Sequence, residues 1–210
     1  MPCGGFAEVL AVIMAGGLGT RMNLGEKPLA AIAGRPMLSY VVSAFEDLGC
    51  EILVVATNKV PMTKNWCRAN GVEFYQSEGA GYVEDLTACI IETGEQSPFF
   101  SCVADLPGIT SAIIKNVYDK YSDSKKQACS VWVPKALFNK NNCKCLYSET
   151  VSNVVSCPVG FNILTGADIL NEQDELKILL DEPALTFNVN TPEELKLAEL
   201  FFKGRINNHQ

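Results

Sequence analysis

The sequence predicts one α/β domain over residues 1–210, three layers deep, with a mostly parallel central sheet. Three observations carry this. Strand-like and helix-like stretches alternate from residue 9 to residue 121. The strand-like stretches are unbroken apolar runs, such as Val9-Leu10-Ala11-Val12-Ile13-Met14 and Ile52-Leu53-Val54-Val55-Ala56, as in strands buried on both faces. Three of these runs end in distinctive loops, at residues 15–22, at Thr57-Asn58 and at Asp105-Leu106-Pro107. A sheet covered by helices on both faces gathers its ligands beyond the carboxyl ends of its strands, so function is expected on those loops.

The first strand, residues 9–14, runs straight into glycines. From Pro36, apolar residues at Met37, Leu38, Val41, Phe45 and Leu48 make a helical stripe that Gly49 stops. Residues 52–56 form the next strand, and a weaker helix over 61–69 leads to a short strand over 72–75. Tyr82, Val83, Leu86, Cys89 and Ile90 mark another helix, with Glu84 and Asp85 in its first turn and Gly94 after it. A strand over 99–104 delivers Asp105. Thr110 caps a helix whose apolar face is Ile113, Ile114, Val117 and Tyr121.

After a strand ending at Pro134, residues 135–152 are the least regular part of the chain. They carry Lys135, Lys140 and Lys144 with no acidic residue until Glu149. The stretch reads either as a solvated excursion or as a basic flap over an anionic substrate. Residues 159–164 return as a strand. Phe187-Asn188-Val189-Asn190 closes the chain's strands and meets Thr191-Pro192-Glu193-Glu194, which has the cap, the first-position proline and the returning Glu194 of a capping box. Asn190 is therefore expected at a strand-to-helix junction.

Composition narrows the chemistry. The chain has 24 Asp plus Glu against 17 Lys plus Arg, a formal charge of −7, and a single histidine, His209. One His in a polar tail supplies neither a Ser-His-Asp triad nor a multi-His metal site. The acidic balance argues against a nucleic-acid partner, which needs clustered cations. No apolar run reaches membrane-spanning length, and the first residues lack the basic start of a secretory signal, so a cytoplasmic protein is expected. The nine cysteines are an odd number. Cys50, Cys89, Cys102 and Cys129 lie in or beside apolar runs and read as core residues of a reducing compartment. Cys143 and Cys145 form a C-x-C without a second pair at zinc-finger spacing.

The strongest signal is Ala15-Gly16-Gly17-Leu18-Gly19-Thr20-Arg21-Met22, followed by Glu26-Lys27-Pro28-Leu29. Three glycines in four positions permit positive φ and bring backbone N–H groups close to a polyanion. Thr20 adds a hydroxyl, and Arg21 and Lys27 add a planar fork and a point charge. The whole reads as a triphosphate cradle. It lacks the closing Lys-Ser or Lys-Thr of a P-loop, and Met22 stands where the dinucleotide fingerprint requires its last glycine.

At these residues the chain resembles the nucleotidyltransferases that build activated sugars and cofactors, whose signature is a G-G-x-G-T-R loop followed by Lys-Pro. The short interval from Arg21 to Lys27 resembles that of the cofactor guanylyltransferases. Glu26-Lys27-Pro28-Leu29, Tyr40-Val41-Val42-Ser43, Gly81-Tyr82-Val83-Glu84-Asp85-Leu86, Gly160-Phe161-Asn162 and Leu195-Lys196-Leu197-Ala198-Glu199 look like the archaeal GTP:adenosylcobinamide-phosphate guanylyltransferases in particular. Molybdenum-cofactor enzymes typically have Ser in place of Thr20 and Asp-Lys-Ala in place of Glu26-Lys27-Pro28. The resemblance covers most of the chain except residues 135–152 and the N-terminal extension.

The resemblance implies a Rossmann-like nucleotidyltransferase fold that moves GMP from GTP to adenosylcobinamide phosphate. Ala15, Gly16, Gly17, Gly19 and Thr20 would bind the phosphates of GTP, Arg21 would neutralise the leaving pyrophosphate and Lys27 would face the α-phosphate. Asp105 stands where the family holds Mg²⁺, with Asn190 at the second metal-side position. Asp105 also reads as a turn residue before Pro107, and Asn190 as a residue placed by its capping box. By the sheet rule, guanine should lie near Thr57, Asn58 and Gly81, with Glu84 or Asp85 accepting from its N1–H and amino group. Both carboxylates equally suit a helix N-terminus. Gly160 either admits the corrinoid acceptor or marks a bulge. Other acceptors (molybdopterin, a sugar phosphate) and a GTP-binding regulator without turnover stay open at this point, as does a homodimer.

Overall fold

The computed structural model describes residues 6, 8–17 and 25–207, the last three by their backbone alone. After β1 (Leu10–Met14) come a small hairpin of β2 (Ala31–Ile32) and β3 (Arg35–Pro36), and α1 (Met37–Glu46). β4 (Glu51–Thr57), α2 (Pro61–Ala69), β5 (Glu73–Ser77), α3 (Tyr82–Thr93), β6 (Pro98–Val103) and α4 (Ser111–Ser124) continue the alternation. The rest comprises β7 (Ala128–Pro134), α5 (Lys135–Lys140), β8 (Glu149–Val151), β9 (Val154–Thr165), β10 (Glu175–Leu179) and α6 (Pro192–Asn207).

The eight-stranded sheet has the order β10-β7-β9-β6-β1-β4-β5, with β8 beside β9. β5, β4, β1 and β6 are mutually parallel, β7 pairs parallel with β10, and β9 runs against β6, β7 and β8. Strand side chains alternate between two cores. Ala11, Ile13, Val54, Ala56, Phe100 and Cys102 pack with Phe45 of α1, Cys67 of α2 and Ile114 of α4. Leu10, Val12, Leu53, Val55 and Phe99 pack on Leu86, Cys89 and Ile90 of α3. Burial on both sides is why these strands carry no polar alternation. Phe45, Phe100 and Phe161 lie with ring centroids 5.5–6.0 Å apart and fasten α1 to β6 and β9. Truncating one of them would cost roughly 3–5 kcal/mol through the cavity left behind.

Helix ends follow the expected chemistry. Thr110 accepts the Ile113 N–H at 3.3 Å, and Gly94 ends α3 at φ +73°. The second half of the chain departs from expectation in three places. Residues 135–152 contain α5 and β8, and Cys145 is disulfide-bonded to Cys157 of β9. The β8–β9 pairing brings those two backbones together, with Cα atoms 6.2 Å apart. The C-x-C is therefore divided between a disulfide and the buried free thiol of Cys143. β10 was not foreseen, because Glu175-Leu176-Lys177-Ile178-Leu179 mixes charge into an edge strand. Residues 187–190 are not a strand; they follow a 3-10 turn at Pro183–Thr186 and lead directly into α6. Cys89, Cys102 and Cys129 are buried core residues as expected, while Cys50 is partly covered; burial pushes the Cys89 and Cys129 thiols up to about 12. Among the described residues no helix is long and apolar enough to cross a membrane.

Candidate active site

β1 lies between β4 and β6, and the chain winds outward to β4 and β5 before returning to β6. The carboxyl ends of β1 and β6 thus flank the switch in winding direction, where loops diverge and leave a crevice. The ladder continues one residue past each strand, with the Ala15 N–H donating to the Val55 carbonyl at 2.7 Å and the Ala104 N–H to Met14 at 3.0 Å. Beyond that a cavity of about 370 Å³ opens. Ala15, Gly16, Gly17, Lys27, Thr57, Gly81, Asp85 and Asp105 line it, as the sequence reading expects. Gly19, Thr20 and Arg21 lie outside the described residues.

Gly16 and Gly17 do not adopt the positive φ that glycine permits. A Cβ on either would come no closer than 3.8 Å to the protein, at Thr57 Cγ2 and Lys27 Cδ. Their lack of a side chain leaves bare backbone facing the cavity, which is the use a polyanion makes of such a loop.

Lys27 begins a 3-10 turn whose next residue, Pro28, is buried. Its ammonium donates to a carboxylate oxygen (Oδ2) of Asp105 and, at 2.7 Å, to Asn190 Oδ1. The Lys27 and Asp105 side chains are each only 13% exposed. Asp105 Oδ1 is buried and has no hydrogen-bond partner among the described residues. Asn190 comes to the site because the Val189 N–H donates to the Asp105 carbonyl at 3.1 Å, strapping the entry of α6 to the exit of β6. Its Nδ2 is taken by the Asn188 carbonyl and by Asn188 Oδ1 at 2.6 Å, which turns Oδ1 toward Lys27. The capping box forms with one change. Glu194 N–H donates to Thr191 Oγ1, while the Glu194 carboxylate accepts from the Asn190 N–H at 2.8 Å instead of from the cap residue.

An unsatisfied buried carboxylate oxygen beside an amide oxygen is a hard donor set, and a divalent cation that keeps several waters fits it. Among the described residues no group of three or more His, Cys, Asp or Glu could hold a metal ion.

The base end of the cavity differs from expectation. Asp85 is buried and its oxygens are in use: Oδ1 accepts the Gly79 and Ala80 N–H groups at 3.0 and 3.1 Å, and Oδ2 accepts the Ser77 hydroxyl at 3.0 Å. It shapes the 77–81 loop, and its engagement there, not a free edge for guanine, explains its burial. Glu84 is exposed, curls back on Gly81 and does not line the cavity. Asn58 is exposed and also lies off the cavity, whereas the next residue, Lys59, lines it. Gly160 sits at φ +78° where the β7–β9 register shifts, and a Cβ there would meet Val103 Cγ2 at 2.8 Å. Of its two readings this is the bulge; the packing against β6 accounts for the glycine. No residue of 135–152 lines the cavity, and α5 is tied instead to the 183–186 turn by Asn141 Nδ2 donating to Thr186 Oγ1 at 2.9 Å.

Sequence reasoning passed over Lys59, Tyr82 and the carboxylate of Glu26. The signal for Lys59 was its position two residues after the strand end, and that for Glu26 was its place within Glu-Lys-Pro. Tyr82 reads from sequence as an apolar helix residue, yet its hydroxyl is paired with Ser101 at 2.8 Å and burial raises its pKa.

Comparison with known proteins agrees with this geometry. The model of the MobA-like NTP transferase domain matches residues 11–158. The chain is 33% identical over 204 residues to the adenosylcobinamide-phosphate guanylyltransferase of Methanocaldococcus jannaschii, covering 92% of this chain and 97% of that one. It is 24% identical over 206 residues to the molybdenum cofactor guanylyltransferase of Desulfosudis oleivorans, covering 94% and 98%. The fold is shared with the molybdopterin-guanine dinucleotide biosynthesis protein A of Archaeoglobus fulgidus, at a TM-score of 0.64 and 15% identity, covering 93% and 100%. A glycine pair at the switch point, a lysine held by an aspartate and an asparagine, and a family match across most of the chain lead to one assignment: this chain belongs to the MobA-like NTP transferase family.

Proposed function

We propose that the chain transfers GMP from GTP to adenosylcobinamide phosphate, releasing pyrophosphate, in cobalamin biosynthesis. Nucleotidyl transfer rests on one observation above the others: Lys27 bridging Asp105 and Asn190 at the mouth of a glycine-walled crevice. The choice of guanine and corrinoid rests on the relative at 33% identity over nearly the whole chain.

An acceptor phosphate oxygen attacks the α-phosphorus in line, the new P–O bond forms, the bond to the β-phosphate breaks and pyrophosphate leaves. The acceptor phosphate is already ionised at neutral pH, so no side chain has to take a proton from it. The work is positioning and charge neutralisation. Bare backbone at Gly16 and Gly17, with Gly19, Thr20 and Arg21 following in sequence, receives the β- and γ-phosphates. Lys27, nearly desolvated between its two partners, faces the α-phosphate, where charge develops. Asp105 and Asn190 would hold Mg²⁺, which supplies electrostatic neutralisation of the phosphates when bound.

Pyrophosphate release measured for each NTP with Mg²⁺, with and without adenosylcobinamide phosphate, tests the assignment. Release that requires both GTP and the corrinoid is expected. Release with molybdopterin or a sugar phosphate instead would move the acceptor, and GTP binding without release under any acceptor would make the chain a regulator.

A further inference from the structure

We infer that Glu26 is a positioning residue that sets Lys27 for phosphate chemistry by binding the first turn of α2. Its carboxylate accepts three hydrogen bonds there: Oε1 from the Met62 N–H at 2.7 Å, and Oε2 from the Thr63 N–H and the Thr63 hydroxyl, both at 2.6 Å. α2 begins with Pro61, has no side-chain cap of its own, and Thr63 is fully buried. The first turn of a helix has unsatisfied N–H groups and a positive end, so a carboxylate arriving from elsewhere in the chain is firmly held. The donor segment is not free to move either, because Pro28, on the other side of Lys27, is buried in its own turn.

Lys27 is therefore fixed on both flanks, by Glu26 on α2 and by Pro28 in the core. A lysine side chain has four rotatable carbons and costs considerable entropy to hold in one place. Fixing its backbone on both sides leaves only the side-chain rotors to be ordered by Asp105 and Asn190. The same contact ties in the 57–60 loop, which leads into α2 and carries Lys59 on the cavity wall. Glu26 is not itself among the residues that line the cavity and its carboxylate is bound to α2, so it acts through Lys27 and not on substrate.

The inference rests on the proposed transfer reaction for its kinetic arm, and a second arm is independent of turnover. In the kinetic arm, Glu26→Ala lowers kcat by about 30- to 100-fold, the scale of an ångström-sized misplacement of a catalytic group. In the Lys27→Ala background the same substitution has no further effect on kcat, because the residue through which it acts is gone. Full multiplication of the two single losses in the double variant, or an unchanged kcat in Glu26→Ala, overturns the inference. Glu26→Gln keeps the side-chain volume and one acceptor; it gives a smaller loss with the same non-additivity, and serves if the alanine variant does not fold.

In the second arm, competitive acetylation of the free protein is followed residue by residue by mass spectrometry. Lys27 is slow in the native chain and accelerates several-fold in Glu26→Gln, while the exposed Lys115 does not change. Equal rates at Lys27 in both proteins overturn the inference whatever the reaction is. A native chain without GTP turnover, but with acceleration at Lys27, refutes the proposed function and keeps the positioning role.

Discussion

Two aspartates on the lining of one cavity show how differently one residue type can be used. Asp105, just past β6, keeps one buried oxygen without a partner among the described residues and shares the other with a lysine that a phosphate could draw away. Asp85, in the first turn of α3, has both oxygens occupied by the loop it holds. Burial alone does not separate them, since both are largely shielded from water. Saturation does. A buried carboxylate whose hydrogen bonds are complete belongs to the fold, whereas one left incomplete costs stability and is retained where a ligand completes it.

The contrast predicts opposite failures. Asp105→Asn is expected to lower kcat by about a thousandfold and to weaken the dependence of rate on Mg²⁺, with a loss of stability limited to the broken ion pair, since the Lys27 ammonium keeps acceptors in the new amide oxygen and in Asn190. Near-normal Mg²⁺ titration in that variant would place the metal elsewhere. Lys27→Ala follows at a few hundredfold, or about 3–4 kcal/mol of transition-state stabilisation, with a smaller change in KM for GTP. An equal loss in KM and none in kcat would make Lys27 a ground-state phosphate ligand only.

Asp85→Asn should do the reverse. The amide oxygen can keep the Gly79 and Ala80 N–H bonds and its NH2 can donate to the Ser77 hydroxyl, but all three bonds lose the help of the charge, at about 1–3 kcal/mol of stability. The thermal midpoint should drop by several degrees and KM for GTP should rise, with kcat little affected. A collapse of kcat at unchanged stability would mean that Asp85 contacts the substrate directly and that saturation is a poor guide.

Much of this was legible in the sequence where the chain is regular. The parallel strands β1, β4, β5 and β6 announce themselves because burial on both faces demands unbroken apolar runs, and the loops after them carry the residues now found on the cavity. Asn190 could be placed at the start of a helix by its capping box. Its meeting with Lys27 could not, because the strap from Val189 to the Asp105 backbone joins segments far apart in the chain and has no local pattern. The same holds for the Glu26 carboxylate, whose partners come from α2. The half around β9 was least readable. An antiparallel strand inserted between parallel ones, a bulge at Gly160, a charged edge strand and a disulfide between Cys145 and Cys157 are long-range outcomes. The two readings of Asp85 could not be separated for a related reason: helix-end acids look alike in sequence whether their oxygens face a loop or a ligand, and here three of its bonds go to residues 77–80.

The smallest expected effect tests the same lesson on a pair of adjacent, exposed residues. Asn58 follows the strand end directly and was the natural choice for a nucleotide contact, but the chain turns there so that Lys59 reaches the cavity wall. The Lys59 N–H donates to Thr57 Oγ1 at 3.3 Å, which holds this turn and leaves the ammonium clear of that bond. Lys59→Ala should raise KM for GTP by about fivefold at low salt and by less at high salt, because an exposed cation acts on the phosphates through a screened field. Asn58→Ala should change KM by less than about twofold, as surface substitutions away from a contact usually do. Equal sensitivity at both positions would show that the turn opens when nucleotide binds, and a salt-independent loss at Lys59 would show that its ammonium is desolvated against the phosphates and belongs with Lys27.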